Sequence, residues 1–239
     1  MIVTDAYWEK RNLGVSTVEV RIEDSDAPEN ILKELEALQA EYIVVKIPCE
    51  KSDVCMKIQK QGYCFVEDML HMSHDLHEIK RSKMYERLYA AISYRAMDEG
   101  DIIRLKKEME AGIFVSDRIS NDPYFDSGLA VKRYLNWLHD LLEGDSLPYV
   151  MLYKGDPSGF IILQTKDGQV YHSVLGAAYA KYRKTGLGIV QKEQEIVRSL
   201  GGKRVETQVS SNNLSQLKAL ELNGYRTVGI NHILVKHNK

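Results

Sequence analysis

Apolar and polar positions change period several times along the chain, and each change marks an element. Val15 to Ile22, "VSTVEVRI", alternates and predicts a strand. In "DAPENILKELEALQ" the residues Ile31, Leu32, Leu35 and Leu38 follow the spacing of a helix face, with Pro28 near the start. "EYIVVKI" returns to strand, "SDVCMKIQKQGY" reads as a short helix stopped by Gly62, and "CFVEDMLHMSH" reads as strand again. Two helices follow, one marked by Ile102, Ile103, Leu105 and Met109, the other by an apolar stripe from Val131 to Leu142. Strands are predicted at "YVMLYK", "GFIILQT" and "VYHSVLGAAY", the first two separated by the turn-forming "GDPSG". A helix with Leu187, Val190, Val197 and Leu200 along one face comes next. Strand "RVETQV", helix "NLSQLKALELNG" and a final strand pair around "YRTVGINHILVK" complete the pattern.

The two ends of this pattern repeat. "EYIVVKIPCEKSDVCMKIQKQGYCFVEDMLHM" and "KRVETQVSSNNLSQLKALELNGYRTVGINHIL" align without a gap, Gly62-Tyr63 falling on Gly224-Tyr225 at an offset of 162 residues. Ile43 matches Val205 and Ile47 matches Val209. This register predicts a degenerate half-domain over residues 1–75 and a complete domain over residues 76–239. The first copy has too few strands to bury its own sheet, so the two are expected to form one continuous assembly.

Composition narrows the function classes. A hydrophobic content of 44%, a charged content of 28% and a net charge of −2 lack the basic excess of a nucleic-acid binder. The apolar runs are too short to cross a bilayer, and "MIVTDAYWEKRN" lacks a long apolar signal core. A cytoplasmic protein with neither nucleic-acid nor membrane partners is the expectation. The three cysteines, Cys49, Cys55 and Cys64, have no C-x-x-C spacing and are expected to be buried free thiols, with no metal site. "EDSD" and "MDEGD" read as solvated helix caps rather than a catalytic pair.

One stretch raises a chemical question. "YRKTGLGIVQKEQEIVRSLGG" puts glycines at the start of a helix, where they weaken it. A bound anion would explain them, because N-terminal amides and the helix dipole attract phosphate. A plain tight turn, or a solvated basic face of Lys181, Arg183 and Lys184, is the alternative. The first copy has no such stretch, which places the chemistry in the second.

"RKTGLG", Arg183 to Gly188, resembles the Arg/Gln-x-x-Gly-x-Gly/Ala signature of the GCN5-related N-acetyltransferase (GNAT) family. "GAAYAKYRKTGLG" is similar to that family's small-residue strand end, and "NNLSQLKALELNGY" to its Asn-helix-Gly-aromatic motif. "WEKRNLGVSTVEVRI" looks like the start of the TDP-fucosamine acetyltransferases, which also carry a partial first domain. The resemblance implies an α/β GNAT fold, with a mixed, mostly antiparallel sheet flanked by helices. It also implies acetyl-CoA as cosubstrate, no metal, and direct transfer to a primary amine of a small molecule, with amino-sugar nucleotides as one acceptor class. A homodimer is compatible with it.

In that picture the amides of Arg183, Lys184, Thr185, Gly186, Leu187 and Gly188 hold the pyrophosphate, and Asn213 also contacts the cofactor. Gly176, Ala177 and Ala178 lie where the strand splays and exposes main chain to pantetheine, the Ala178 N–H polarising the thioester carbonyl. The family's acid, a Tyr seven residues after the Asn, is replaced by Leu220, and Tyr225 is expected to point elsewhere. His172 is the candidate base, its even spacing to Ala178 placing both on one strand face, although a lone strand His is also an ordinary structural residue. The missing acid leaves a second reading, a non-catalytic acyl-CoA-binding or scaffold protein of the same fold.

Overall fold

In the computed structural model, which describes residues 1–77, 79, 83–185 and 189–238, the alternating segments all join one sheet. Its strands are β1 (Ile2–Asp5), β2 (Thr17–Arg21), β3 (Tyr42–Pro48), β4 (Cys64–Asp75), β5 (Ile92–Ala96), β6 (Ser146–Tyr153), β7 (Asp156–Thr165), β8 (Val170–Ala178), β9 (Arg204–Ser210) and β10 (Arg226–His237). The helices are α1 (Trp8–Leu13), α2 (Pro28–Glu36), α3 (Ser52–Lys60), α4 (Lys83–Ala90), α5 (Glu99–Glu110), α6 (Arg118–Asn121), α7 (Ser127–Glu143), α8 (Ile189–Ser199) and α9 (Leu214–Leu222). The strand order is β1-β2-β3-β10-β4-β9-β8-β7-β6-β5, antiparallel except for β2 with β3 and β8 with β9. This is the mixed, mostly antiparallel sheet that the family resemblance implies. Among the described residues no helix is long and apolar enough to cross a membrane.

Period-two alternation divides the core into two layers. On one face Val20, Val45 and Ile47 take the stripes of α2 and α3, while Ile161, Val205 and Val209 take those of α8 and α9. On the other, Phe160, Ile162 and Leu175 pack under α5 and α7, and Tyr42, Val44 and Ile233 under α1, α6 and α7. Asp98 opens α5 with a capping box to Asp101, as expected of "MDEGD". Asp26 caps no helix and instead holds the Met1 ammonium.

The repeat is reproduced in space with its last strands exchanged. β3, α3 and β4 correspond to β9, α9 and β10 at the offset of 162. Yet β10 lies beside β3, and β4 beside β9. Tyr42 faces His237 and Arg204 faces Asp75, which is the same pairing with the copies interchanged. The central β4–β10 ladder skips Val66 on one strand and its counterpart Val228 on the other. Gly62 and Gly224 both adopt positive φ, 89° and 83°, at the ends of α3 and α9, which explains Gly-Tyr in both copies. Each copy therefore completes the other's sheet. A fragment of residues 1–75 leaves both edges of the twelve-residue β4 bare and is expected to show no cooperative thermal transition by circular dichroism. A sharp melt of that fragment would overturn this.

Several expectations need correction. The final "strand pair" is the single strand β10, because the bulge at Val228 lets one strand carry the Gly-containing segment without a turn. Leu200 lies beyond the end of α8 and is 39% exposed, and the buried face is built by Ile189, Val190, Ile196 and Val197. Leu187 falls outside the described residues. Cys64 is exposed at the start of β4, while Cys49 and Cys55 are half-buried, and all three are free.

Candidate active site

The parallel pair β8–β9 opens into a fork. Val170 to Ser173 pair with Arg204 to Thr207, and there the ladder stops, although β8 continues to Ala178 and β9 to Ser210. A bulge causes the split: Leu163 of β7 faces Ser173, Ile162 faces Leu175, and the extra residue Val174 bends β8. Past the bend, the edge of β8 facing β9 has no ladder partner. Gly159 holds the other edge close to β7, since a Cβ there would lie 2.6 Å from the Ala177 carbonyl oxygen. Gly176, Ala177 and Ala178, the predicted small residues, form this bent segment and line the cleft.

The same bulge corrects the His172 expectation. His172 faces Gln164 and Ala178 faces Gly159, an odd separation on β7, so the two side chains point to opposite faces of the sheet. Sequence spacing could not register the inserted residue. His172 is 47% exposed, with Nδ1 3.8 Å from the Glu206 carboxylate.

After β8 the chain makes a short 3₁₀ turn, Ala180–Tyr182. The Arg183 and Thr185 amides donate within this turn, to the carbonyls of Ala180 and Tyr182, so these two are not available to a phosphate. The Arg183 guanidinium donates to the Ile113 carbonyl at 2.7 Å and ties the turn to the end of α5. Lys184 and Asn213 line the same cleft, and Asn213 also caps α9 by accepting from the Gln216 amide. Gly186, Leu187 and Gly188 fall outside the described residues.

A cleft of about 1980 Å³ passes through the fork. Pockets for one small ligand run to about 300–1,000 Å³, so this one has room for two reactants. Its α1/α7 side is walled by Trp8, Arg11, Tyr134 and Trp137, and its α8 side by Ile189 and Glu193. No family model matches the sequence, and no curated protein matches it either. Solved structures do match. A conserved protein of unknown function from Staphylococcus epidermidis is similar at a TM-score of 0.65 and 15% identity, over 94% of this chain and 85% of that one. A GCN5-related N-acetyltransferase from Kribbella flavida gives 0.56 at 12% identity, over 94% and 82%. Another from Sphaerobacter thermophilus gives 0.52 at 15%, over 87% and 64%. This chain has the fold of the GCN5-related N-acetyltransferases.

Within that acetyltransferase fold, two buried carboxyls flank the fork, and both escaped the sequence reading. Glu67 of β4 is 2% exposed, lines the cleft and accepts from the Ser210 hydroxyl at 2.5 Å, at the end of β9. Burial pushes its carboxyl up to about 7, against the opposing pull of Ser210 and Arg118. Glu193 of α8 is 3% exposed, and burial pushes it up to about 7 as well. A charge lattice stands beside Glu67. Arg118 donates to Glu9 and Glu19 at 2.8 and 2.9 Å, Arg133 to Glu9 at 2.8 Å, and Lys46 to Glu19 at 2.7 Å. With Asp117 near Arg133, three cations face three carboxylates, so this wall carries no net charge toward a ligand.

The position where an acetyltransferase acid was sought is closed. Leu220 is 1% exposed and packs with Val209, Tyr225 and the α8 stripe, on the core side of α9. Tyr225 does point elsewhere, its hydroxyl donating to Glu193 at 2.7 Å.

Proposed function

We propose that the chain is an acetyl-CoA-dependent N-acetyltransferase acting on a primary amine of a small molecule, with an amino-sugar nucleotide as the favoured acceptor class. The observation that carries this reading is the fork opened at Val174, with the Glu67 carboxyl at its mouth. An extended chain bearing amides fits the unpaired edge of β8, where Gly176, Ala177 and Ala178 keep side chains out of the way. Bound there, acetyl-CoA supplies the acetyl thioester. The Ala178 amide would donate to its carbonyl oxygen, and the amides of Lys184, Gly186, Leu187 and Gly188 would take the pyrophosphate. On the opposite side of the fork, Glu67 accepts the proton that an ammonium must lose before it can attack, and Ser210 holds the carboxylate that does so. His172, exposed and beside Glu206, lies on the sheet face opposite to the Ala178 side chain and is the second candidate. The aromatic and amide groups of Trp8, Asn12, Tyr134 and Trp137 offer flat faces and hydrogen bonds suited to a sugar or a base.

Coenzyme A titration by calorimetry, with acetyl-CoA consumption over a panel of amines, tests the reading. Gly186→Asp adds a Cβ and a negative charge against a diphosphate and is expected to abolish binding. Unchanged affinity in a folded variant would remove the loop from the site. Binding without transfer to any amine would favour the acyl-CoA-binding scaffold instead.

A further inference from the structure

Rotation along α8 puts Glu193 in the middle of its buried stripe, three residues after Val190 and four before Val197, where an apolar side chain would pack best. A carboxyl there costs burial energy and needs partners. It has one at hydrogen-bond distance: Tyr225, just before β10, donates its hydroxyl to Oε1 at 2.7 Å, while the Ser173 hydroxyl acts on the same carboxyl from β8 and pulls its titration down against burial. Ser173 is the last residue of β8 paired to β9, and its main-chain oxygen is fixed by the Thr207 hydroxyl at 2.9 Å. Ser173 and Glu193 thus mark the crotch of the fork from the α8 side, and both line the cleft. Glu67 marks its mouth from the other face.

Resting on the acetyl-transfer reading, we propose that Glu193, acting through the Ser173 hydroxyl, protonates the sulfur that leaves when the acetyl group is transferred. In this step a carbon–nitrogen bond forms and the thioester carbon–sulfur bond breaks. Ser173 gives its proton to the sulfur and takes one from Glu193. Tyr225 then holds the Glu193 carboxylate by its hydroxyl until solvent restores the proton. The nitrogen sheds two protons, the first to Glu67 as the ammonium becomes a free amine and the second to solvent in the open cleft once the carbon–nitrogen bond has formed, so neither carboxyl serves twice. This supplies the donor absent at Leu220 from a different helix. The groups around Glu193 suit the role: Tyr225, itself pushed up by burial and by Glu193, stays a donor, and His74 of β4 lies behind it with ring centroids 5.4 Å apart. On α8 itself, Lys192 turns to the Tyr89 ring and to Glu195. With its titration near 7, Glu193 keeps a transferable proton at neutral pH.

A purely structural Glu193 would need only an acceptor for Tyr225, which a carboxamide also provides. Glu193→Gln is therefore expected to lose no thermal stability and to keep its KM for acetyl-CoA. Its kcat should fall about tenfold, a modest loss because a thiol is a good leaving group, and the alkaline limb of the kcat profile near pH 7 should disappear. Ser173→Ala is expected to give the same fall in kcat. Infrared difference spectra on adding coenzyme A give a readout apart from activity: a protonated-carboxyl band should shift in the wild type and be missing in Glu193→Gln. Wild-type transfer with kcat and the alkaline limb intact in Glu193→Gln overturns this proposal alone, as does a band indifferent to coenzyme A. Transfer to no amine overturns the acetyl-transfer reading and this proposal with it.

Discussion

Glu67→Gln is expected to lower kcat about a hundredfold while leaving coenzyme A affinity unchanged. Positioned bases contribute about 10² to 10⁴ in rate, and the low end applies here because an amine can also lose its proton to water. The pH profile carries the signature. A base must be ionised, so the acid limb of the wild-type profile should rise toward about 7, and the Gln variant should lose that limb when the acceptor amine titrates well away from it. Stability should move the opposite way. A carboxyl whose folded value lies above its ordinary one favours folding at low pH, and that gain is lost as pH rises through about 7. Above that pH the Gln variant should be the more stable by about 1–3 kcal/mol. Full activity in a folded Glu67→Gln would remove Glu67 from the chemistry.

The second large effect concerns the lattice that carries the cleft wall. Arg118→Met leaves Glu9, fully buried, with only Arg133 and Asn12, and leaves Glu19 with Lys46. Removing one partner of a buried ion pair costs about 3–5 kcal/mol, through the charge left behind. Denaturant unfolding should show a loss of this size. The acid limb is also informative. Burial alone would raise Glu19, but Arg118 and Lys46 outweigh it and hold the carboxyl down at about 2. Its contribution is present above the ordinary value near 4.5 and is lost as pH falls toward 2, a change of about 3 kcal/mol that should shrink in the variant. A variant as stable as the wild type would mean that water already reaches this cluster.

Where periodicity was strong, the elements and even their offset of 162 could be read from the residues. Most of the missed elements had little pattern to offer: β1 is an edge strand exposed at every position, α1 has six residues, α6 four and β5 five, while the eight-residue α4 was passed over. The exchange of β4 and β10 was invisible because both strands alternate alike, and nothing in either names its neighbour. The bulge at Val174 misled the reading of His172, since one inserted residue reverses a face without changing composition. Glu67 hid in "FVEDML" as an outward-facing strand residue. Glu193 did leave a signal, an acidic residue in the three-four register of Val190 and Val197.

The exchanged strands also bear on how such a chain could arise. A pseudo-twofold axis through the β4–β10 ladder is what a strand-swapped dimer of one ancestral unit would leave after its two genes fused. In the first copy, in the segment before α2, the carbonyls of Asp24 and Asp26 instead hold the Lys51 ammonium at 2.8 and 3.0 Å. The first copy is tied into the second all the same: its β4 holds Glu67 against Ser210 and lies between β9 and β10. Deletion from the N-terminus would thus remove the proposed proton acceptor and the middle of the sheet together, so a loss of activity on truncation would not separate chemistry from folding.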